Sequence, residues 1–170
     1  MDARTLGALA FALVFLAGAS RRRRDRPGKF WSWSEVYADQ ADRTMEADAY
    51  ASALATVVLD PLRESIGQPL TVSSWFRSAA HNKAIGGVED SHHLTGGAVD
   101  LLPAPGWDAV RMARELVRLG VPFDEVIAYS PERGGHLHVT WLQRYGPPTA
   151  ELLYAPPQGG FVQLGKEAIA

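Results

Sequence analysis

The ten residues Ser-His-His-Leu-Thr-Gly-Gly-Ala-Val-Asp, Ser91 to Asp100, set a histidine and an aspartate seven positions apart across a pair of glycines. Asp100 lies between Ala98-Val99 and Leu101-Leu102, an apolar stretch in which an unpaired carboxylate is costly. It therefore needs a positive partner. Further along, His136 and His138 alternate around Leu137, and side chains two apart on a strand project to one face. Two imidazoles and one carboxylate form a zinc-type donor set with a fourth position left open for water. On this reading the partner of Asp100 is a divalent metal. The competing reading needs no ion: His92 and His93 are loop residues, His136 and His138 lie on a solvated strand face, and Asp100 caps a turn.

Several elements must position these groups. Leu54, Val57, Val58, Leu62 and Ile66 recur at helical spacing and predict a helix over 46–66, kinked or divided at Pro61 and stopped at Gly67. "PLTVSS" comes next as a short strand ending at Ser74, and "GGAVDLL" reads as another, entered through its glycines. Residues 107–119 predict a second helix, with Val110, Ala113, Leu116 and Val117 on one face and Gly120 as its stop. "EVIAY" and "HLHVTWL" read as strands separated by the turn "SPERGG". The Pro- and Gly-rich tail from Tyr145 is expected to wrap the surface, and no internal repeat is present. The fold class is α+β, a small and mostly antiparallel sheet with flanking helices.

The composition narrows the partners. Cysteine is absent, which excludes disulfides and thiolate metal sites. The overall net charge of −2 hides an asymmetry: residues 1–29 hold seven basic and two acidic groups, leaving 10 basic and 17 acidic residues, a net charge of −7, in 30–170. A region that acidic is a poor match for a nucleic-acid backbone. Residues 6–19 form an apolar run too short to cross a bilayer but suited to a signal peptide, with Ala17-Gly18-Ala19 as a cleavage site. The block Arg21 to Arg24 opposes export of the chain beyond it. Residues 1–29 are accordingly read as a signal-like or membrane-anchoring segment with a basic linker. Residues 30–170 are the expected functional domain, exported or membrane-anchored and monomeric.

"SHHLTGGAVD" fits the S-x-H-x-x-G-x-A-x-D signature of the zinc D-alanyl-D-alanine carboxypeptidase family, at every fixed position. That family includes cell-wall peptidases and phage endolysins, and its fold is related to the hedgehog signalling domain. Upstream, "VSSWFRSAAHNKAIGG" resembles the family's "SGYRS…N…VGG" segment, and "LDPLRESIGQPLTVSS" resembles the helix and strand before it. "HLHVTW" resembles the closing metal-binding strand, so the likeness runs over roughly residues 30 to 145. It implies His93, Asp100 and His138 as zinc ligands and Arg77 as the group that holds a substrate carboxylate. A guanidinium suits that task because it pairs bidentately. Ser91 would orient the loop through its hydroxyl, and Gly96 and Gly97 would permit tight backbone near the metal.

One departure concerns the general base. Several members carry an acidic residue three positions before the last histidine ligand, and here that position is Gly135. Glu132 in the adjoining turn is the expected substitute, with His136 as transition-state stabiliser. The resemblance thus implies a zinc peptidase acting on peptidoglycan stem peptides, as a D,D-carboxypeptidase or an endopeptidase. The alternative is a zinc-stabilised module that binds cell-wall peptide without cutting it.

Overall fold

The computed structural model describes residues 25–38, 43–142 and 147–164. The apolar run 6–19 and the Arg21 to Arg24 block lie outside the described residues. No helix among the described residues is long and apolar enough to cross a membrane. The packed chain reaches back to Pro27, three residues ahead of Phe30. Pro27 is buried, and the Lys29 amide donates to Asp60 Oδ2 at 2.8 Å.

A short helix α1 (Trp33–Tyr37) opens the fold, started by a capping box in which Ser32 and Glu35 satisfy each other's backbone amides. The helix expected over 46–66 runs from Met45 to Ile66 and divides ahead of Pro61. Its parts are α2 (Met45–Leu54), a π-helical turn (Ala55–Leu59) and α3 (Asp60–Ile66). Proline has no amide to donate, and its ring crowds the carbonyl four residues back. The wider turn, with the Asp60 amide on the Ala55 carbonyl, absorbs that mismatch without breaking the rod. Gly67, in the left-handed region at φ 71°, ends it.

Among the described residues six strands make one sheet in the order β1-β2-β4-β3-β5-β6. They are β1 (Thr71–Ser74), β2 (Ala98–Leu102), β3 (Glu125–Tyr129), β4 (Leu137–Thr140), β5 (Glu151–Ala155) and β6 (Val162–Gln163). All neighbours are antiparallel except β3 and β5. The architecture is α+β with a mostly antiparallel sheet, as read from the sequence. The tail is a correction: it does not simply wrap the surface but adds β5 and β6 to the sheet. Leu152 and Ala155 are buried there and give the segment its reason to pair.

Alternation along the strands sorts the two faces. Val99, Leu101, Val126, Ala128, Leu137 and Val139 are all fully buried against the helices. Helix α5 (Ala109–Leu119) packs on them through Ala109, Met112, Ala113 and Leu116, while Arg111, Arg114 and Arg118 face water. Burying a side chain such as Leu116 contributes about 1.5–3 kcal/mol. Between those buried positions stand Asp100, His138, Glu125, Ile127 and Tyr129, which the pleat sends to the opposite face. A short helix α4 (Ala79–Ala84), capped by Ser78, and the 3-10 turn His92–Thr95 lead into β2.

Candidate metal centre

Strand register places the carboxylate and one imidazole side by side. Asp100 on β2 pairs with His138 on β4, and His138 Nδ1 lies 2.7 Å from Asp100 Oδ1. The second imidazole arrives from the 3-10 turn. That turn is tied to the end of β1, since the Arg77 amide donates to the His93 carbonyl at 3.0 Å and His93 Nδ1 meets the Trp75 carbonyl at 2.6 Å. A carbonyl only accepts, so His93 Nδ1 holds the proton and Nε2 keeps its lone pair. Nε2 stands 3.4 Å from Asp100 Oδ2.

Gly96 closes the turn in the left-handed region at φ 77°, and a Cβ there would meet the Ala47 carbonyl oxygen at 2.9 Å. Both the conformation and the close approach to α2 require glycine. The sequence assigns Gly96 to tight backbone, and the structure supplies the neighbour that makes it tight.

His93, Asp100 and His138 thus form one cluster, each offering a ligand atom within 4.8 Å of the others. The residues fit a divalent ion. The donors are two imidazoles and one carboxylate, His93 and Asp100 are buried, and the His93 tautomer leaves a lone pair for coordination. Burial would raise the pKa of Asp100, but the hydrogen bond from His138 and the surrounding imidazoles outweigh it and hold the carboxyl well below the ordinary range. Burial also pushes the His93 imidazole down, against the pull of Asp100, which favours the neutral form that ligates.

Arg77 does not stand free. Its Nη2 pairs with Asp100 Oδ2 at 2.5 Å and its Nε donates to Ser74 Oγ at 2.8 Å. The guanidinium adjoins the cluster by gripping one of its members. Ser91 precedes the turn, but its hydroxyl makes no capping bond; backbone bonds from Ser91 to Val88 and from Leu94 to Ser91 hold the loop. His136 stacks on Tyr129 with ring centroids 4.2 Å apart, and burial lowers its pKa. Glu132 is exposed on the 3-10 turn Pro131–Arg133 and is not a member of the three-residue cluster. Gly135 has φ 61°, so an acidic residue at that position would be strained on this backbone.

Sequence reasoning missed the groups around His138. Its Nε2 faces Thr140 Oγ1 at 3.0 Å and Glu125 Oε1 at 3.8 Å. A hydroxyl can donate or accept, so Thr140 satisfies Nε2 in either tautomer, including the one that leaves Nδ1 bare for a metal. Burial raises the pKa of Glu125. Partners of this kind orient ligating histidines, and their loss typically costs about 10–100-fold in metal affinity. Thr140→Val is therefore expected to weaken binding of a divalent ion by about that factor, measured by titration calorimetry, with the unfolding midpoint little changed. The signal was present in the hairpin: pairing Tyr129 with His136 across "SPERGG" also puts Glu125 opposite Thr140.

Three protein donors around one point, carried on an α+β sheet, define a candidate metal centre of the hydrolytic kind. A family model described as Peptidase M15 matches residues 31–140, more than half of the chain, and the chain belongs to that metallopeptidase family. The match agrees with the signature in Ser91 to Asp100 and implies a peptide substrate. None of the curated proteins compared with the chain matches it.

Proposed function

We propose that this protein is a zinc-dependent peptidase that hydrolyses peptidoglycan stem peptides, as a D,D-carboxypeptidase or an endopeptidase, on a hedgehog-like fold. The observation that carries the reading is the meeting of His93, Asp100 and His138 within 4.8 Å in a chain of the Peptidase M15 family. A bound zinc ion supplies a Lewis acid that makes water nucleophilic near neutral pH. His93, Asp100 and His138 hold it, and Thr140 and Trp75 keep the two imidazoles oriented.

Arg77 anchors the substrate carboxylate in this reading, from a position already fixed by Ser74 and Asp100. Glu132 takes the proton from the attacking water and returns it to the leaving amine. His136, kept neutral by burial, donates a hydrogen bond to the developing oxyanion. Residues 1–29 serve as an export signal or anchor that brings a monomeric domain to the cell envelope.

One observation favours a second reading. The left-handed Gly135 occupies the position where several members carry their base, which suits a module that binds cell-wall peptide without cutting it. Digestion of purified muropeptides, analysed by mass spectrometry with and without chelator, separates the two. The peptidase reading expects products with zinc that chelator abolishes, and expects Glu132→Gln and His136→Ala each to reduce them. Binding without products would establish the module, and identical profiles in every arm would reject catalysis.

A further inference from the structure

A second cation stands near the cluster, held by rings rather than by a carboxylate. Arg133 lies at the end of the 3-10 turn between β3 and β4, with Cζ 5.3 Å from the Tyr129 ring centroid and 5.4 Å from that of Phe161. The two rings meet edge to face at 6.4 Å, and Arg133 Nη1 donates to the Gly160 carbonyl at 2.9 Å. The guanidinium is therefore fixed by two aromatic faces and one backbone acceptor. Among the described residues it forms no ion pair. Arg77 pairs with Asp100, so Arg133 is a second guanidinium, additional to the one assigned above to a substrate carboxylate.

The arrangement adjoins the cluster through Tyr129, whose ring also stacks on His136, two residues before His138. Phe161 comes from the turn between β5 and β6 and remains 54% exposed, as does Val162 at 52%. An exposed aromatic ring beside a pre-positioned guanidinium is an amphipathic shelf. It presents one apolar surface and one cation. The β5–β6 turn lies beyond the residues matched to the family, 31–140.

We propose that Tyr129, Arg133 and Phe161 form a substrate subsite that reads a free carboxylate on the peptide, adjacent to an aliphatic segment that rests on Phe161. The inference deepens the peptidase reading and rests on it for the identity of the ligand. The carboxylate has two sources, a side chain or the C-terminus of the peptide, and both share the chemistry that a guanidinium recognises.

The test compares three synthetic stem peptides on the full chain loaded with zinc: the free acid, the form amidated at its side-chain carboxylate, and the form amidated at its C-terminus. Wild-type protein is expected to prefer the free acid over one of the amides by about 10- to 100-fold in kcat/KM, the value of a hydrogen-bonded charge pair. Whichever amide loses activity identifies the source. In Arg133→Gln that preference falls towards unity with the loss carried by KM. Arg133→Lys restores part of it, and Phe161→Ala weakens all three peptides.

A preference equal in wild type and Arg133→Gln would overturn the proposal, as would a loss confined to kcat. Should wild type cleave none of the peptides, calorimetry on the same set decides the subsite separately. Tighter binding of the acid that disappears in Arg133→Gln sustains the subsite while the peptidase reading falls. Equal or absent binding overturns both.

Discussion

Replacing Asp100 by Asn is expected to remove divalent-metal binding at micromolar protein and to abolish metal-dependent peptide hydrolysis. Asp100 is the one anionic donor of the cluster, and the hydrogen bond from His138 helps to hold its carboxyl well below the ordinary range. The amide preserves shape but removes the charge. Loss of an outer partner alone typically weakens metal sites by about 10–100-fold, so loss of a ligand should exceed that. The same change leaves Arg77 facing a neutral group with its side chain only 16% exposed. Breaking a buried ion pair on one side typically costs about 3–5 kcal/mol. Two readouts check this: metal content after dialysis, and the denaturation midpoint of the metal-free protein. Full metal occupancy in Asp100→Asn, or likewise in His93→Ala, would break the ligand assignment.

Trp75→Ala is expected to destabilise the fold by about 3–5 kcal/mol, the range for deleting a buried aromatic side chain. Trp75 is 2% exposed and meets Trp31 edge to face with centroids 5.8 Å apart. It also works on the centre from two sides. Its carbonyl accepts a hydrogen bond from His93 Nδ1, and its indole Nε1 donates to the Gly96 carbonyl at 3.0 Å. Trp75→Phe separates the two roles because it keeps most of the volume and removes only the indole donor. The expectation for Trp75→Phe is a loss of about 1–2 kcal/mol, with metal stoichiometry retained and affinity reduced. Urea denaturation and calorimetry check it. Wild-type metal affinity in Trp75→Phe would show that the indole bond does not position the turn.

What the sequence disclosed depended on how local each signal was. The turn and strand carrying His93 and Asp100 were readable because glycines, apolar neighbours and candidate ligands fall within ten residues. The hairpin of β3 and β4 was readable from "EVIAY" and "HLHVTWL" flanking a Gly-rich turn. By contrast, the partner of Arg77 was not, because its ion pair with Asp100 spans 23 positions and depends on how β1 docks against β2. Thr140 and Glu125 were missed because their relation to His138 arises from register rather than residue type. Helix α1 has a capping signature in "SWSE", but its single turn is too short to show a helical period. Strand β5 was hidden by its proline- and glycine-rich flanks, which lowered the strand signal of the five residues between them.

The one parallel neighbour in the sheet has a consequence for the molecule's integrity. β5 covers the hydrogen-bonding rim of β3, and β5 itself lies past the end of the family-matched stretch. A chain stopped after Thr140 would keep every proposed ligand yet leave β3 with naked main-chain donors and acceptors, a template for intermolecular pairing. The last segment therefore acts as a selvedge: it seals the cloth against unravelling into its neighbours while its turn sets Phe161 against Tyr129 and Arg133.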